Sequence, residues 1–145
     1  MKEQYILLVE DNPDDEALTL RALKKNNIKN DVKVARDGVE ALALLLPEEE
    51  QCSNHNQQLP ALVLLDLNLP KINGLEVLRR LRSDARTQRL LVVILTSSGE
   101  SKDVISSYNF GANSFIRKPV DFKEFNDMVR QMGRYWLEIN HPPVL

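Results

Sequence analysis

Short aliphatic runs alternate along the chain with segments in which apolar residues recur every three or four positions. The runs predict five β-strands, at residues 5–10, 31–35, 62–66, 91–96 and 114–118. The periodic segments predict five helices, at residues 13–27, 38–46, 75–83, 102–110 and 122–139. Nearly continuous aliphatic strands are typical of a parallel sheet that helices cover on both faces. The pattern therefore predicts an α/β fold built from five strand–helix pairs.

The bulk properties indicate one ordinary globular domain. The chain has 145 residues, of which 43% are hydrophobic and 28% charged, and its formal charge is −2. This balance provides no clustered positive charge for nucleic acid, and no apolar run approaches the ~20 residues that span a bilayer. We expect a cytoplasmic protein with no nucleic-acid or membrane partner. The single cysteine, Cys52, is consistent with a reducing compartment.

Two segments lie outside the regular alternation. Residues 47–60 are polar, aperiodic and bounded by prolines, which predicts a surface loop inserted before the third strand. The loop is either a tolerated insertion or a recognition element. The last helix carries an apolar stripe that core packing mostly explains, whereas Tyr135 and Trp136 at its far end also fit a subunit contact.

Polar residues occur where the predicted strands stop, at Glu10, Asp11, Asp66, Thr96 and Lys118. Ligands of open parallel sheets bind outside the carboxyl ends of the strands, so these residues should meet at one edge. Any one of these residues alone would prove little, since an aspartate after a strand, for example, is commonly a turn or helix-cap residue. Together they form a set that a purely structural reading does not explain.

Three neighbouring carboxylates repel one another unless a cation lies among them. Mg²⁺ fits, because it prefers oxygen ligands and is commonly held by one or two carboxylates, water and a phosphate oxygen. We assign Asp11 and Asp66 as direct ligands, Glu10 as a ligand through water, and the backbone carbonyl of Asn68 as a neutral ligand. The predicted cofactor is Mg²⁺.

The remaining residues of the set suit phosphoryl transfer. Lys118 would be a second positive group for an incoming phosphoryl group, and the hydroxyl of Thr96 would donate a hydrogen bond to it. Asp66 is the one acid placed to be both metal ligand and nucleophile.

From about residue 5 to about residue 134, the chain resembles the CheY-like receiver domains of bacterial response regulators. The resemblance is carried by VEDNPDDE with Glu10 and Asp11, LVLLDLNLPKINGLEVLRRLR around Asp66, LTSS with Thr96, and GANSFIRKPVD with Phe115 and Lys118. It implies a doubly wound five-stranded parallel sheet in a single domain. It also implies that a sensor histidine kinase donates a phosphoryl group to Asp66 in the presence of Mg²⁺.

The resemblance implies further details of switching. After phosphorylation Thr96 would move toward the acyl phosphate, and the switch aromatic Phe115 would turn inward. The surface of the fourth helix, fifth strand and fifth helix would then present a different face to partners. The resemblance also suggests a cis peptide bond between Lys118 and Pro119.

The loop at 47–60 and the C-terminal extension at 134–145 look like those of the small response regulators of cyanobacterial phytochromes. This narrower resemblance implies a phytochrome as the kinase and a homodimer with Tyr135 and Trp136 in the contact. The short segment after the fifth strand leads us to expect signalling through protein contacts.

Asn68 distinguishes a switch from an enzyme. Phosphatases of the haloacid dehalogenase type place a second acid two residues after the nucleophile, and Asn68 stands there instead. We therefore predict a persistent phosphorylated state and no turnover enzyme. The alternatives are a small phosphatase, or a receiver-like interaction module that is no longer phosphorylated.

Overall fold

The computed structural model describes residues 4–48 and 58–143. The strands are β1 (Ile6–Val9), β2 (Val32–Ala35), β3 (Leu62–Leu65), β4 (Val92–Thr96) and β5 (Ser114–Arg117). The helices are α1 (Pro13–Lys25), α2 (Gly38–Leu45), α3 (Gly74–Ser83), α4 (Ser101–Asn109) and α5 (Phe122–Gly133), and a π-helix (Arg134–Ile139) follows α5 directly. The strands form one parallel sheet in the order β2-β1-β3-β4-β5. The predicted doubly wound five-stranded fold is confirmed.

The aliphatic strands bury alternate side chains on opposite faces of the sheet. In β1, Leu7 and Val9 join a core cluster with α2 and α3, whereas Ile6 and Leu8 join a second cluster with α1 and α5. Burial on both faces explains why the strands lack the polar alternation of a half-exposed sheet. We call these two clusters the α2–α3 core and the α1–α5 core.

Helix α1 begins and ends where its sequence indicates a cap. The Asn12 side chain accepts hydrogen bonds from the backbone N–H groups of Asp14 and Asp15, at 2.9 and 3.1 Å. Pro13 occupies the first helical position. The helix ends at Lys25, two residues before the predicted end, because Asn27 has a φ of 59° that no right-handed helix allows.

The last helix changes its hydrogen-bonding pattern at residue 134. The prediction of helix up to residue 139 is confirmed, but the final six residues form a π-helix. Trp136 and Leu137 are half-buried against the α1–α5 core, whereas Tyr135 and Ile139 are 48% and 53% exposed. The two candidate contact residues therefore differ, since Trp136 has a packing role and Tyr135 lies on the surface.

The central part of the predicted loop at 47–60, including Cys52, lies outside the described residues. Among residues 4–48 and 58–143, no helix has the length and apolar character required to cross a membrane.

Candidate functional site

The polar residues predicted at the strand ends lie together at the carboxyl edge of the sheet. Glu10, Asp66 and Lys118 are each one residue beyond a strand, and Thr96 is the last residue of β4. Backbone hydrogen bonds continue past the strands and fix these positions. Asp66 N–H donates to the Val9 carbonyl at 3.1 Å, and Lys118 N–H donates to the Thr96 carbonyl at 2.7 Å.

Glu10, Asp11 and Asp66 form a compact group of carboxylates. One oxygen from each lies within 4.8 Å of the other two, which is the arrangement expected of ligands to one divalent cation. Glu10 and Asp66 are buried, and Asp11 is exposed. The group therefore has a buried floor and an open side through which an ion can enter.

The Lys118 ammonium is the positive counterpart of these acids. Its Nζ lies 3.2 Å from both carboxylate oxygens of Glu10 and 3.3 Å from Oδ2 of Asp66. A third carboxylate, Asp15 on α1, approaches Nζ at 3.0 Å. The side chain of Lys118 is only 9% exposed, so these contacts are little screened by water.

The pKa values of Glu10 and Asp66 are shifted in opposite directions. Burial, with the hydrogen bond and charge of Asp66 beside it, raises the pKa of Glu10 to about 8, and Lys118 offsets part of this effect. Burial also disfavours ionisation of Asp66, but the hydrogen bond from Glu10 and the ammonium of Lys118 outweigh it and lower the pKa of Asp66. Asp66 is therefore the ionised member of the pair, as a nucleophile must be.

Lys118 remains charged in this surrounding. Burial alone would lower its pKa, but the charges of Asp66 and Glu10 and the hydrogen bond to Asp15 outweigh burial and raise the pKa. The site thus holds a fixed cation next to an ionised carboxylate.

Thr96 contacts the Asp66 carboxylate, and Phe115 lies on the neighbouring strand β5. Thr96 is fully buried, and its hydroxyl is hydrogen bonded to Asp66 while accepting the Ser98 N–H at 3.3 Å. Phe115 pairs with Ile94 in the sheet and packs, half-buried, against the α2–α3 core.

The suggested cis bond between Lys118 and Pro119 is wrong, because the structure has no cis peptide bond at this position. The trans form is the intrinsically favoured isomer of a bond to proline, by about 0.5–1 kcal/mol.

Asn68 lies beside Asp66, as its spacing predicts. Its backbone N–H donates to Oδ1 of Asp66 at 3.2 Å, and its side chain is exposed at the mouth of the site. The role of its carbonyl as a metal ligand stays a prediction. Asp15, which contacts the Lys118 ammonium, is a polar residue of this site that the sequence analysis did not identify.

The arrangement suits transfer of an anionic group to a carboxylate. Asp66 is ionised and hydrogen bonded, Lys118 and the hydroxyl of Thr96 are donors at its side, and the carboxylate group is suited to a divalent cation. Asp11 and Asn68 form the exposed edge of this site.

Comparison with known proteins agrees with this geometry. Residues 6–130 match the response regulator receiver domain family. Response regulator Rcp1 of Synechocystis sp. is 39% identical over 135 residues, covering 93% of this chain and 90% of that protein.

Two solved structures are similar over almost the whole chain. A crystal structure of the phosphorylated cyanobacterial phytochrome response regulator RcpA has a TM-score of 0.86 and 35% identity, covering 98% of this chain and 99% of that one. A crystal structure of the Mn²⁺-bound form of Rcp1 has a TM-score of 0.84 and 37% identity, covering 97% and 99%. The chain belongs to the response regulator receiver domain family.

Proposed function

We propose that this receiver domain is a binding switch operated by phosphorylation of Asp66. The observation that carries the proposal is the buried Lys118 ammonium, which lies 3.3 Å from the Asp66 carboxylate and 3.2 Å from that of Glu10. A receiver-like module without phosphorylation would gain nothing from burying two acids and a lysine in one pocket.

In the transfer step, an oxygen of the Asp66 carboxylate attacks the phosphorus of a phosphohistidine. An O–P bond forms, the P–N bond breaks, and its electron pair returns to the imidazole, which takes up a proton from solvent. Lys118 donates to one phosphoryl oxygen, and the hydroxyl of Thr96 turns from Asp66 to donate to another. These two donors offset the repulsion between the negative charge of the phosphoryl group and that of Asp66.

Mg²⁺ is the cation that best fits the acidic group. Asp11 and Asp66 would hold it directly, with Glu10 through water and the Asn68 carbonyl as a further ligand. When bound, Mg²⁺ neutralises charge on the phosphoryl oxygens. The compact carboxylate group and the existence of a Mn²⁺-bound form of the similar regulator Rcp1 support this assignment.

Phosphorylation would be read at α4, β5 and α5. Withdrawal of the Thr96 hydroxyl toward the phosphoryl group leaves space that Phe115 fills, and the outer surface repacks. Ile105 and Tyr108 on α4 are 60% and 51% exposed, so this surface already presents apolar side chains to a partner.

The phosphorylated state should persist, because the exposed position two residues after Asp66 carries Asn68, which has no ionisable group to activate water. The domain would then be a switch and no turnover phosphatase. Incubation with a chromogenic phosphate ester and Mg²⁺ tests this assignment. Steady release of product would instead support the enzyme alternative.

The phosphodonor we propose is a phytochrome histidine kinase, supported by similarity over nearly the full length to Rcp1 and to the phytochrome response regulator RcpA. A cyanobacterial phytochrome loaded with labelled phosphate should transfer the label to this chain much faster than an unrelated kinase does. Equal transfer rates from both kinases would contradict the assignment.

We also propose a homodimer with Tyr135 in the contact. Tyr135 makes a T-shaped contact with Trp136, with ring centroids 5.0 Å apart, and both Tyr135 and Ile139 of the same helical segment are exposed. Tyr135→Ser should yield a folded monomer in light scattering. Trp136→Ser is less informative, because Trp136 also packs against the α1–α5 core.

The decisive experiment is intact-protein mass after incubation with acetyl phosphate and Mg²⁺. We expect the wild type to gain one phosphoryl group, and we expect no gain for Asp66→Asn or in the presence of a chelator. If the wild type gains no phosphoryl group from acetyl phosphate or from a phosphorylated kinase, the chain is an interaction module.

A further inference from the structure

The shortest contact of the Lys118 ammonium is with Asp15, which belongs to none of the predicted strand ends. The Lys118 Nζ lies 3.0 Å from Oδ2 of Asp15, compared with 3.2 Å from Glu10 and 3.3 Å from Asp66. We propose that Asp15 is a positioning residue that holds the Lys118 ammonium in place for phosphoryl transfer. This inference rests on the proposed function of the site.

The transfer step explains why such a residue is needed. In the structure Lys118 divides its hydrogen bonds among three carboxylates. Phosphorylation of Asp66 would remove the carboxylate oxygen that Lys118 contacts. A cation bound by the acidic group would compete with Lys118 for Glu10. Asp15 is then the one carboxylate partner that neither the phosphoryl group nor the cation engages.

Asp15 is itself rigidly placed. Its backbone N–H donates to the capping side chain of Asn12 at 3.1 Å, and its carbonyl accepts the hydroxyl of the buried Thr19 at 2.8 Å. The carboxylate therefore projects from a fixed point on the first turn of α1. A lysine side chain has four rotatable bonds, so an anchor on a rigid helix restricts where its ammonium can lie.

The chain provides a matched control in Asp14, the preceding residue. Asp14 lies in the same helical turn and has the same charge, but it is exposed and is not among the carboxylates that contact Lys118. Asp14→Asn and Asp15→Asn remove equal charge from the same end of α1. Any general effect on the helix dipole or on the attraction of cations should be similar in the two variants.

The experiment measures phosphorylation by acetyl phosphate at a series of Mg²⁺ concentrations for the wild type, Asp14→Asn and Asp15→Asn. We expect Asp15→Asn to lower the rate at saturating Mg²⁺ by about fivefold to tenfold, because the ammonium is no longer held in place. The Mg²⁺ concentration at half-maximal rate should stay within about twofold of that of Asp14→Asn. Asp15→Glu, which restores the carboxylate, should recover part of the rate.

A second comparison shows whether Asp15 acts through the lysine. In a Lys118→Ala background, Asp15→Asn should cause no further loss of rate, since there is no ammonium left to position. The inference is overturned if Asp15→Asn retains the wild-type rate or loses no more than Asp14→Asn. A loss that excess Mg²⁺ restores, or one that persists without Lys118, also overturns it. Absence of phosphorylation in the wild type would instead overturn the proposed function itself.

Discussion

The raised pKa of Glu10 predicts that the metal-free protein becomes less stable as the pH rises from about 6 to about 8. Burial and the neighbouring carboxylate raise the pKa of Glu10 from 4.5 to about 8. A raised pKa means that the folded state binds the proton more tightly than the unfolded chain does. The resulting stabilisation is complete below the unfolded value and is lost as the pH approaches the folded value.

The magnitude follows from the linkage between proton binding and folding. Inside this window the free energy of unfolding should fall by about 1 kcal/mol for each pH unit, or roughly 2 kcal/mol between pH 6 and pH 8. Glu10 is only 2% exposed, so solvent screening reduces this effect little. The lowered pKa of Asp66 affects the free energy of unfolding only in more acidic solution, outside this pH window.

Urea denaturation in the presence of a chelator measures this dependence, with fluorescence of the single tryptophan, the half-buried Trp136, as the signal. Glu10→Gln keeps the shape of the side chain but does not titrate, so its stability should be nearly independent of pH in this range. Saturating Mg²⁺ should also flatten the wild-type curve, since a cation favours the ionised pair. A wild-type stability that is constant or increases over the range, or an equal slope in Glu10→Gln, would refute the reasoning.

Three further predictions concern the scaffold of the site. Gly74→Ala should destabilise the protein by about 1–3 kcal/mol in urea denaturation, because an added Cβ would lie 2.2 Å from the backbone oxygen of Asp66. Arg82→Ala should lower the free energy of unfolding by roughly 2–3 kcal/mol, since the Arg82 guanidinium donates to the carbonyls of Gly111, Thr87, Gln88 and Leu90. Arg80 lies on the exposed face of α3, and an equal loss of stability in Arg80→Ala would contradict this. Ser98→Ala removes a hydrogen bond to Asp103 and should speed amide exchange in the first turn of α4, an effect that Ser97→Ala should not reproduce.

The sequence predicts a site residue well when its position in the pattern has only one structural explanation. Asp66 and Thr96 follow aliphatic runs, and the ends of parallel strands meet at one edge, so their proximity can be predicted. Asp15 could not be found in this way, because an acid in the first turn of a helix already has a general explanation in the helix dipole. Its partner Lys118 is 103 positions away, and only the fold brings the two together.

The last helix shows the same limit of prediction from sequence. An apolar residue every three or four positions predicts a helix through residue 139, but over six residues that spacing does not separate an α-helix from a π-helix. The choice depends on tertiary packing, since Trp136 and Leu137 must both reach the α1–α5 core. The sequence likewise does not show that Trp136 turns inward while its neighbour Tyr135 stays at the surface.

The strongest sign of function is the burial of ionisable side chains at this site. Charged residues are almost never fully buried unless they are paired, yet Glu10 and Asp66 are 2% and 6% exposed with a single ammonium between them. Apolar residues of similar volume would be at least as stable in this position. A bound divalent ion balances the second negative charge that appears when Glu10 ionises, and the cost of burying these acids in the metal-free state is the physical reason why the site responds to its ligands.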